Sequence, residues 1–209
     1  MRNYSNSLLD PDESVILIID EQPAMFFAVE GKNRENVMNN VVGLAKTARS
    51  FNVPCILSTV ESKKFSGELY SKVKSLYPKV NPIDRTSINA WEDNNFKRAV
   101  SETGKKKLII AGLWTEVCVT FPALSALEDG YQVYIVTDAC AGVSKEAHDM
   151  AVIRMAQAGA VPVTWMQVLL EFQKDWSNQE TYTKVMSIAK ENGGVYGLMV
   201  EYAESMLNK

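Results

Sequence analysis

Short apolar runs alternate with helical patterns along most of this chain. The runs are continuously apolar, which is typical of strands that helices cover on both faces. Two prolines lie near the third run, so we expect a short edge strand there. We predict six strands, at Val15–Asp20, Val53–Thr59, Asn81–Asp84, Leu108–Gly112, Val133–Thr137 and Ala160–Thr164.

Between these runs, apolar residues recur at the spacing of a helix. We predict helices over Asn33–Phe51, Trp91–Thr103, Val119–Leu127 and Ser144–Gly159. Strands that alternate with helices indicate a parallel α/β sheet. No composition break divides the chain. We therefore predict a single three-layer α/β domain over residues 1–209, with its core at about 14–165.

The C-terminal extension, about residues 166–209, has a different pattern. Three helices are predicted in succession at Trp165–Trp176, Gln179–Glu191 and Val195–Leu207, and Ser177 with Glu180 resembles a capping box. These helices carry more apolar side chains than one sheet edge requires. We expect a second copy to bury part of this surface, which predicts a homo-oligomer. The alternative is that all of these apolar side chains pack within one chain.

Composition narrows the classes of partner. The chain has 209 residues, 46% of them hydrophobic, and a formal net charge of −3. With no long basic block and no apolar run of membrane length, we expect neither nucleic acid nor a membrane as partner. Three cysteines are too few for a disulfide framework, and there is no apolar signal segment, so we expect a reducing, cytoplasmic location. One histidine and no ligand spacing predict no metal and no cofactor.

The most informative stretch is GLWTEVCVTFPALSALEDG, residues 112–130. Cys118 lies where a buried strand passes into a helix, and the free N–H groups of a helix N-terminus favour a thiolate. Cys118 is therefore a candidate nucleophile. A small buried apolar residue is an equally open interpretation at this point.

Two further charged residues follow predicted strands. Asp20 ends the first strand in VILIIDEQP, where partial desolvation would make it a better base near neutral pH. Arg85 follows the third strand in PIDRTSINAW and could hold a carboxylate beside a thiolate. A capping aspartate and a solvated surface arginine are the structural alternatives.

Taken together, these motifs resemble the isochorismatase-like cysteine hydrolases, which include nicotinamidase and N-carbamoylsarcosine amidase. The resemblance rests on Asp20 at the end of the first strand, Arg85 before the Asn89–Trp91 triplet, and GxxTxxC ending at Cys118. It spans about residues 14–165, and the extension resembles the YcaC-like branch. The resemblance implies strand order 3-2-1-4-5-6, a triad of Asp20, Arg85 and Cys118, and an octamer.

The resemblance also implies an oxyanion hole formed by the backbone N–H groups of Trp114 and Cys118, with a cis peptide between Leu113 and Trp114. Arg85 stands where relatives carry lysine, and Glu21 stands where many carry histidine. The nicotinamidase metal cluster has no counterpart in TVESKKFSG, which makes nicotinamidase activity doubtful. True isochorismatases lack the thiol, so Cys118 favours acyl transfer.

We therefore predict a hydrolase of small amide-type C–N bonds that forms a thioester on Cys118. The alternative is a non-catalytic or vestigially active assembly protein of the same fold. A nucleotide-binding oxidoreductase is disfavoured because no glycine-rich turn follows the first strand. Cys55, Cys140 and His148 are expected to be structural. Candidate residues for binding a small-molecule substrate are Gln22, Phe26, Asn89, Trp91 and Phe121.

Overall fold

Six strands form one parallel sheet at the centre of the protein. The structure is a computed structural model that describes residues 8–207. The strands are β1 Ser14–Ile19, β2 Cys55–Val60, β3 Ile83–Arg85, β4 Lys107–Leu113, β5 Gln132–Ala141 and β6 Val161–Val163. Their order is β3-β2-β1-β4-β5-β6, and every neighbouring pair is parallel. The predicted strand order and fold class are confirmed.

Helices cover both faces of the sheet. The chain moves outward from β1 to β3, returns to the centre at β4, and moves out the other way, so right-handed crossovers place the two sets of helices on opposite faces. The helices are α1 Pro23–Phe27, α2 Arg34–Ser50, α3 Ser71–Leu76, α4 Asn94–Glu102, α5 Thr120–Glu128, α6 Lys145–Ala158, α7 Trp165–Gln173, α8 Gln179–Asn192 and α9 Val195–Leu207.

The core is built on the two central strands. All six residues of β1 and all seven of β4 are buried, because neighbouring strands and two helical layers enclose them. This burial explains their continuous apolar sequence. Since both strands end at the same edge, residues that follow β1 and β4 meet there.

The structure corrects three details of the predicted elements. The strand predicted at Val133–Thr137 continues to Ala141, after a shift in its pairing with β4 between Ile110 and Gly112. The helix predicted from Trp91 begins at Asn94, because the Asp93 side chain caps it by accepting the N–H of Phe96 at 2.9 Å.

The third detail is the predicted capping box at Ser177, which does not form. Asn178 is the N-cap of α8, and no side chain there accepts a cap hydrogen bond. The N–H of Ser177 instead donates to the carboxylate of Asp175 at 2.8 Å. A tight turn ahead of the helix has replaced the box.

The C-terminal helices pack on α2 and leave one apolar stripe uncovered. α7 and α8 lie against α2, where Phe51 and Phe172 meet edge to face, and α9 packs on α8. Gly197 and Val200 turn inward from α9. The opposite side of this helix forms what we call the α9 stripe: Val195, Leu198, Met199, Tyr202 and Met206, each at least 50% exposed.

Candidate active site

Asp20 is held in place directly after β1. Its N–H donates to the carbonyl of Ser58 on β2 at 3.0 Å, and its own carbonyl accepts the N–H of Gln22 at 2.8 Å. The backbone of Asp20 adopts a φ of 57°, a left-handed conformation that aspartate tolerates better than most residues. The turn leaves its carboxylate fully buried at the carboxyl edge of the sheet.

Arg85 reaches Asp20 from two strands away. It ends β3, and its guanidinium donates to Asp20 Oδ2 at 2.5 Å in an ion pair whose side chains are both 0% exposed. A second guanidinium nitrogen donates to the carbonyl of Ser87. The solvated-surface interpretation of Arg85 is therefore wrong.

Cys118 lies within a π-helical turn, Thr115–Val119, that joins β4 to α5. Cys118 is 5% exposed, and its thiol lies near enough to the carboxylate of Asp20 for the two groups to shift each other's pKa. Gly112 allows this approach, since a Cβ at that position would stand 2.3 Å from the carbonyl oxygen of Ile19 on β1. The structure thus brings together the three residues that the sequence had placed at separate strand ends.

The charges in this site differ from the sequence expectation. Burial raises the pKa of Asp20 to about 6, although the positive charge of Arg85 opposes the rise. Burial and the neighbouring Asp20 raise the pKa of Cys118 to about 12. The prediction of a thiolate at the helix N-terminus is wrong, because desolvation and an adjacent carboxylate outweigh the backbone N–H groups. At neutral pH the resting pair is a thiol beside a carboxylate.

Trp114 connects the nucleophile turn to α1. The peptide between Leu113 and Trp114 is cis, as the resemblance implied. The backbone N–H of Trp114 donates toward the Cys118 sulfur and favours its ionised form. The Trp114 indole donates to the carbonyl of Met25 at 2.9 Å, which draws α1 over the site.

The predicted pocket residues near β1 have different surroundings. The Gln22 amide donates to the carbonyls of Val60 and Gly67 and accepts the N–H of Val60 at 2.9 Å. These bonds use its polar atoms within the protein, which argues against the predicted contact with substrate. Phe26 is buried in α1, and Phe121 is half-buried in the first turn of α5, three residues after Cys118.

Asn89 and Trp91 are not placed as predicted. Asn89 donates to Ser125 Oγ at 3.1 Å, and the Trp91 indole donates to Asp129 at 2.9 Å. Asp129 follows the end of α5, and at 1.5 Å per residue it lies roughly 15 Å along the chain axis from Cys118. Both side chains therefore attach the segment before α4 to α5. Trp91 has a structural role in this attachment.

Glu21 is a buried acid that the sequence reasoning did not use. It is 0% exposed, and among the described residues neither of its carboxylate oxygens has a hydrogen-bond partner. Burial first, and then the charge of Asp20, raise its pKa well above the ordinary value, which favours the neutral carboxylic acid. A second acid directly after Asp20 was the available sequence signal.

Cys140 and His148 are also buried, whereas Cys55 is half-buried. Burial raises the pKa of Cys55 and of Cys140 to about 12, and all three cysteines are free. His148 is buried in α6 and contacts Thr115. Within residues 8–207, no group of three or more His, Cys, Asp or Glu side chains could hold a metal ion. No helix in that range is long and apolar enough to cross a membrane.

The fold and the site together define a class: doubly wound parallel α/β proteins with a buried Asp–Arg–Cys group at the carboxyl edge of the sheet. The sequence matches the isochorismatase domain over residues 14–167. The chain therefore belongs to the isochorismatase family, which is a family of hydrolases.

Its similarity to YcaC proteins places it in the YcaC-like branch of that family. It is 41% identical to the probable hydrolase YcaC of Escherichia coli over 171 residues, 81% of this chain and 82% of that one. A crystal structure of the Escherichia coli YcaC gene product, described as an octameric hydrolase of unknown specificity, matches with a TM-score of 0.92 at 35% identity, covering 99% of this chain and all of that one.

YcaC from Pseudomonas aeruginosa, solved with hexane-2,5-diol and covalent acrylamide, matches with a TM-score of 0.91 at 36% identity. The match covers 97% of this chain and 100% of the Pseudomonas aeruginosa chain.

Proposed function

We propose that this chain hydrolyses a small amide-type C–N bond, with Cys118 as the nucleophile. The observation that carries the proposal is the placement of three buried side chains beside one another. Arg85 pairs with Asp20, and the same carboxylate interacts with the Cys118 thiol. A nucleophile, a base beside it and a third group that orients the base are the arrangement that covalent catalysis requires.

In the proposed reaction, Asp20 takes the thiol proton while the Cys118 sulfur attacks the substrate carbonyl carbon. Asp20, with a pKa of about 6, is mostly ionised at neutral pH and can accept this proton. It then gives the proton to the leaving nitrogen as the C–N bond breaks, which leaves a thioester. Water attacks the thioester, its proton passes through Asp20 to the sulfur, and the carboxylic acid leaves.

Arg85 and two backbone N–H groups supply positive charge during these steps. Arg85 cannot release its proton at any working pH, so its role is electrostatic. It keeps Asp20 ionised and favours the Cys118 thiolate. The N–H groups of Trp114 and Cys118 are the proposed donors to the tetrahedral oxyanion. The position of the Trp114 N–H toward the sulfur supports its part.

The proposed substrate is small and has a planar acyl group. Cys118 is only 5% exposed, which leaves a narrow approach to the sulfur. Phe26, Trp114 and Phe121 are aromatic residues of α1, of the nucleophile turn and of α5, the elements that surround the site in this proposal. The covalent acrylamide in the Pseudomonas aeruginosa relative is a small planar amide, which fits this class.

We further propose that the chain works as a homo-oligomer, an octamer like its relative from Escherichia coli, and in the cytoplasm. The α9 stripe supports a contact between copies, since five apolar side chains at helical spacing stay exposed in one chain. In this proposal residues 1–209 form one domain, with a core at about 14–165 and an extension at about 166–209. The extension would serve assembly.

A screen of small amides, ureido acids and imides tests the activity. We expect the wild-type chain to release amine or ammonia from at least one compound, and intact-mass measurement to detect an acyl group on Cys118. Cys118→Ala should abolish both signals, whereas Cys55→Ala and Cys140→Ala should retain most of the turnover. Full turnover in Cys118→Ala would refute the proposal.

The alternative, a vestigially active assembly protein, is favoured by one observation, the high resting pKa of the Cys118 thiol. Titration with iodoacetamide separates the two functions. A catalytic site should contain one thiol that reacts much faster than the others, because Asp20 removes its proton. An assembly protein should show three slow thiols.

A further inference from the structure

The turn that carries Cys118 is attached to helix α6 by a buried contact that the proposed chemistry does not use. Thr115 Oγ1 and His148 Nδ1 lie 2.7 Å apart. Thr115 is 0% exposed and His148 is 5% exposed. Thr115 is the residue that opens the turn Thr115–Val119, so this contact joins the start of the nucleophile turn to the first half of α6.

His148 takes part in this contact as a neutral imidazole. Burial lowers its pKa to about 4, and the positive charges of Lys32 and Lys145 lower it further, against the opposing charge of Asp149. One of the two partners donates a proton and the other accepts it, depending on the imidazole tautomer. Because His148 stays neutral above about pH 5, the contact persists over the whole range in which Asp20 titrates.

Glu116 makes a second attachment to the same region. Its Oε1 accepts the N–H of Val143, in the loop before α6, at 2.9 Å. Its other oxygen lies so close to Gly142 that a Cβ there would stand 2.4 Å from it. The loop and the Glu116 carboxylate are thus packed against each other, and glycine at 142 is needed for this approach.

Hydrogen bonds within the turn connect these two attachments to Cys118. Thr120 Oγ1 donates to the carbonyl of Thr115 at 2.6 Å, and the N–H groups of Val117 and Val119 donate to the carbonyl of Trp114 at 3.1 Å and 3.3 Å. Cys118 lies inside this closed unit. A displacement of its first residues therefore moves the sulfur relative to Asp20.

We infer that His148 and Glu116 are positioning residues that clamp the nucleophile turn to α6 and its preceding loop, through Thr115 and Val143. The inference rests on the proposed function, because it assigns these contacts to the aim of the Cys118 thiol at Asp20 and at the substrate carbonyl. A misplacement of about 1 Å in such a site lowers the rate by up to about a hundredfold.

The test measures alkylation of Cys118 by iodoacetamide, which needs no substrate. Thr115→Val keeps the shape and loses the hydroxyl, and His148→Leu removes the imidazole nitrogen. The rate of Cys118 alkylation should level off at high pH, and we call this limit the plateau rate. Each variant should lower the plateau rate about 10- to 100-fold. The pH midpoint of the reaction should not move, because Asp20 and Arg85 are intact. Thr115→Ser and His148→Asn keep a polar atom at the contact and should retain most of the wild-type plateau rate.

The double variant Thr115→Val with His148→Leu should be no slower than the slower single variant, because both remove one contact. Losses that multiply would overturn the inference, as would a wild-type plateau rate in folded Thr115→Val. A fall in thermal midpoint with an unchanged plateau rate would show a purely structural contact and would also overturn it.

Glu116→Ala tests the second attachment, and decides the matter if the His148 variants do not fold. It should lower the plateau rate, as the Thr115 and His148 variants do, whereas an unchanged rate would remove Glu116 from the inference. Asp149→Asn, one residue from His148 and ion-paired with the exposed Lys145, is the matched control. Because loss of its charge leaves His148 neutral, it should alkylate at the wild-type rate. A slow Cys118 in the wild-type chain would instead refute the proposed function.

Discussion

At the scale of single residues, the site depends on where one proton is held. Asp20, with a pKa of about 6, and Cys118, with a pKa of about 12, share a buried contact beside a permanent cation. Because the two groups are coupled, the pair titrates as a unit. In the proposed reaction the thiol becomes a nucleophile as Asp20 accepts its proton, so we expect the ionisation of Asp20 to control the reactivity of the sulfur.

The rate of Cys118 alkylation should therefore rise with pH around a midpoint near 6 and level off above it. Below that midpoint Asp20 is protonated and cannot accept the thiol proton. Asp20→Asn should remove this step and leave only slow alkylation at high pH. A profile for the wild-type chain that first rises near pH 8 to 9 would contradict the base role.

The charge of Arg85 should matter more than its shape. Arg85→Lys should keep appreciable turnover, since lysine keeps the positive charge and is the residue that the family resemblance implies there. Arg85→Ala should lower turnover by roughly two orders of magnitude or more, the scale of losing one charge-stabilising group. It should also move the alkylation midpoint upward, because Asp20 loses the cation that lowers its pKa. Near-normal turnover with an unshifted profile in Arg85→Ala would contradict this role.

Glu21 should reduce stability at neutral pH. Its folded pKa lies well above 4.5, so its contribution to stability is complete below the unfolded pKa and is lost as the pH rises toward the folded value. Glu21→Gln should thus raise the thermal midpoint at pH 7.5 by at least about 2 °C, the effect of roughly 1 kcal/mol in a chain of this size.

At pH 4 the same substitution should change the midpoint little, because unfolded glutamate is then largely neutral. Glu68→Gln, at an exposed position, is the control and should show no such dependence on pH. An equal shift at both pH values would mean that Glu21 is not held as a neutral acid.

At the scale of elements, the position of a side chain along a helix decides its role. Trp91 and Trp114 both donate an indole N–H to another element, and both are aromatics near strand ends in the sequence. Trp91 binds Asp129 beyond the far end of α5, whereas Trp114 holds α1 next to Cys118. Only the second tryptophan has a position from which it can influence the chemistry.

Substituting each tryptophan by phenylalanine separates these roles. Trp91→Phe should lower the free energy of unfolding by about 0.5–1.5 kcal/mol, the usual contribution of one hydrogen bond, and leave turnover unchanged. Trp114→Phe removes the donor to Met25 and should lower turnover through the displacement of α1. Urea denaturation and kinetic assays of both variants check this, and a turnover loss confined to Trp91→Phe would contradict it.

At the scale of the whole molecule, the α9 stripe is the main apolar surface contributed by the extension. Within one chain α9 buries Gly197 and Val200 against α8 and presents the stripe outward. Burial of apolar area at about 25 cal/mol per Å² favours a second copy over water. In the proposed oligomer the extension is part of the contact between copies.

Leu198→Lys should weaken this assembly, because association would bury a charge without a partner. Light scattering should show a smaller mass than for the wild-type chain, with the shift growing on dilution. Thr183→Lys, which adds the same charge at an exposed position of α8, should leave the mass unchanged. A wild-type chain that scatters as a monomer at all concentrations would contradict the proposed oligomer.

The sequence pattern by itself determined the strands of the sheet, whereas the strand order and the grouping of Asp20, Arg85 and Cys118 were implied by the resemblance to a family. Continuous apolar runs mark the central strands, Asp20 directly follows the first of them, and Cys118 lies in the turn that follows the fourth strand. Parallel strands end at one edge, so their following residues must approach each other. The local pattern was sufficient to predict the strands, because a continuous apolar run is a local feature of the sequence.

Only the tertiary structure decided how those residues are charged and what their neighbours do. The high pKa of Cys118 comes from burial and from Asp20, which lies far away in the sequence, so the turn alone suggested the opposite. Asn89 and Trp91 bind helix α5 and not the pocket, and His148 reaches Thr115 across 33 positions of chain. Desolvation and long-range contacts depend on packing in three dimensions, which no local pattern of residues records.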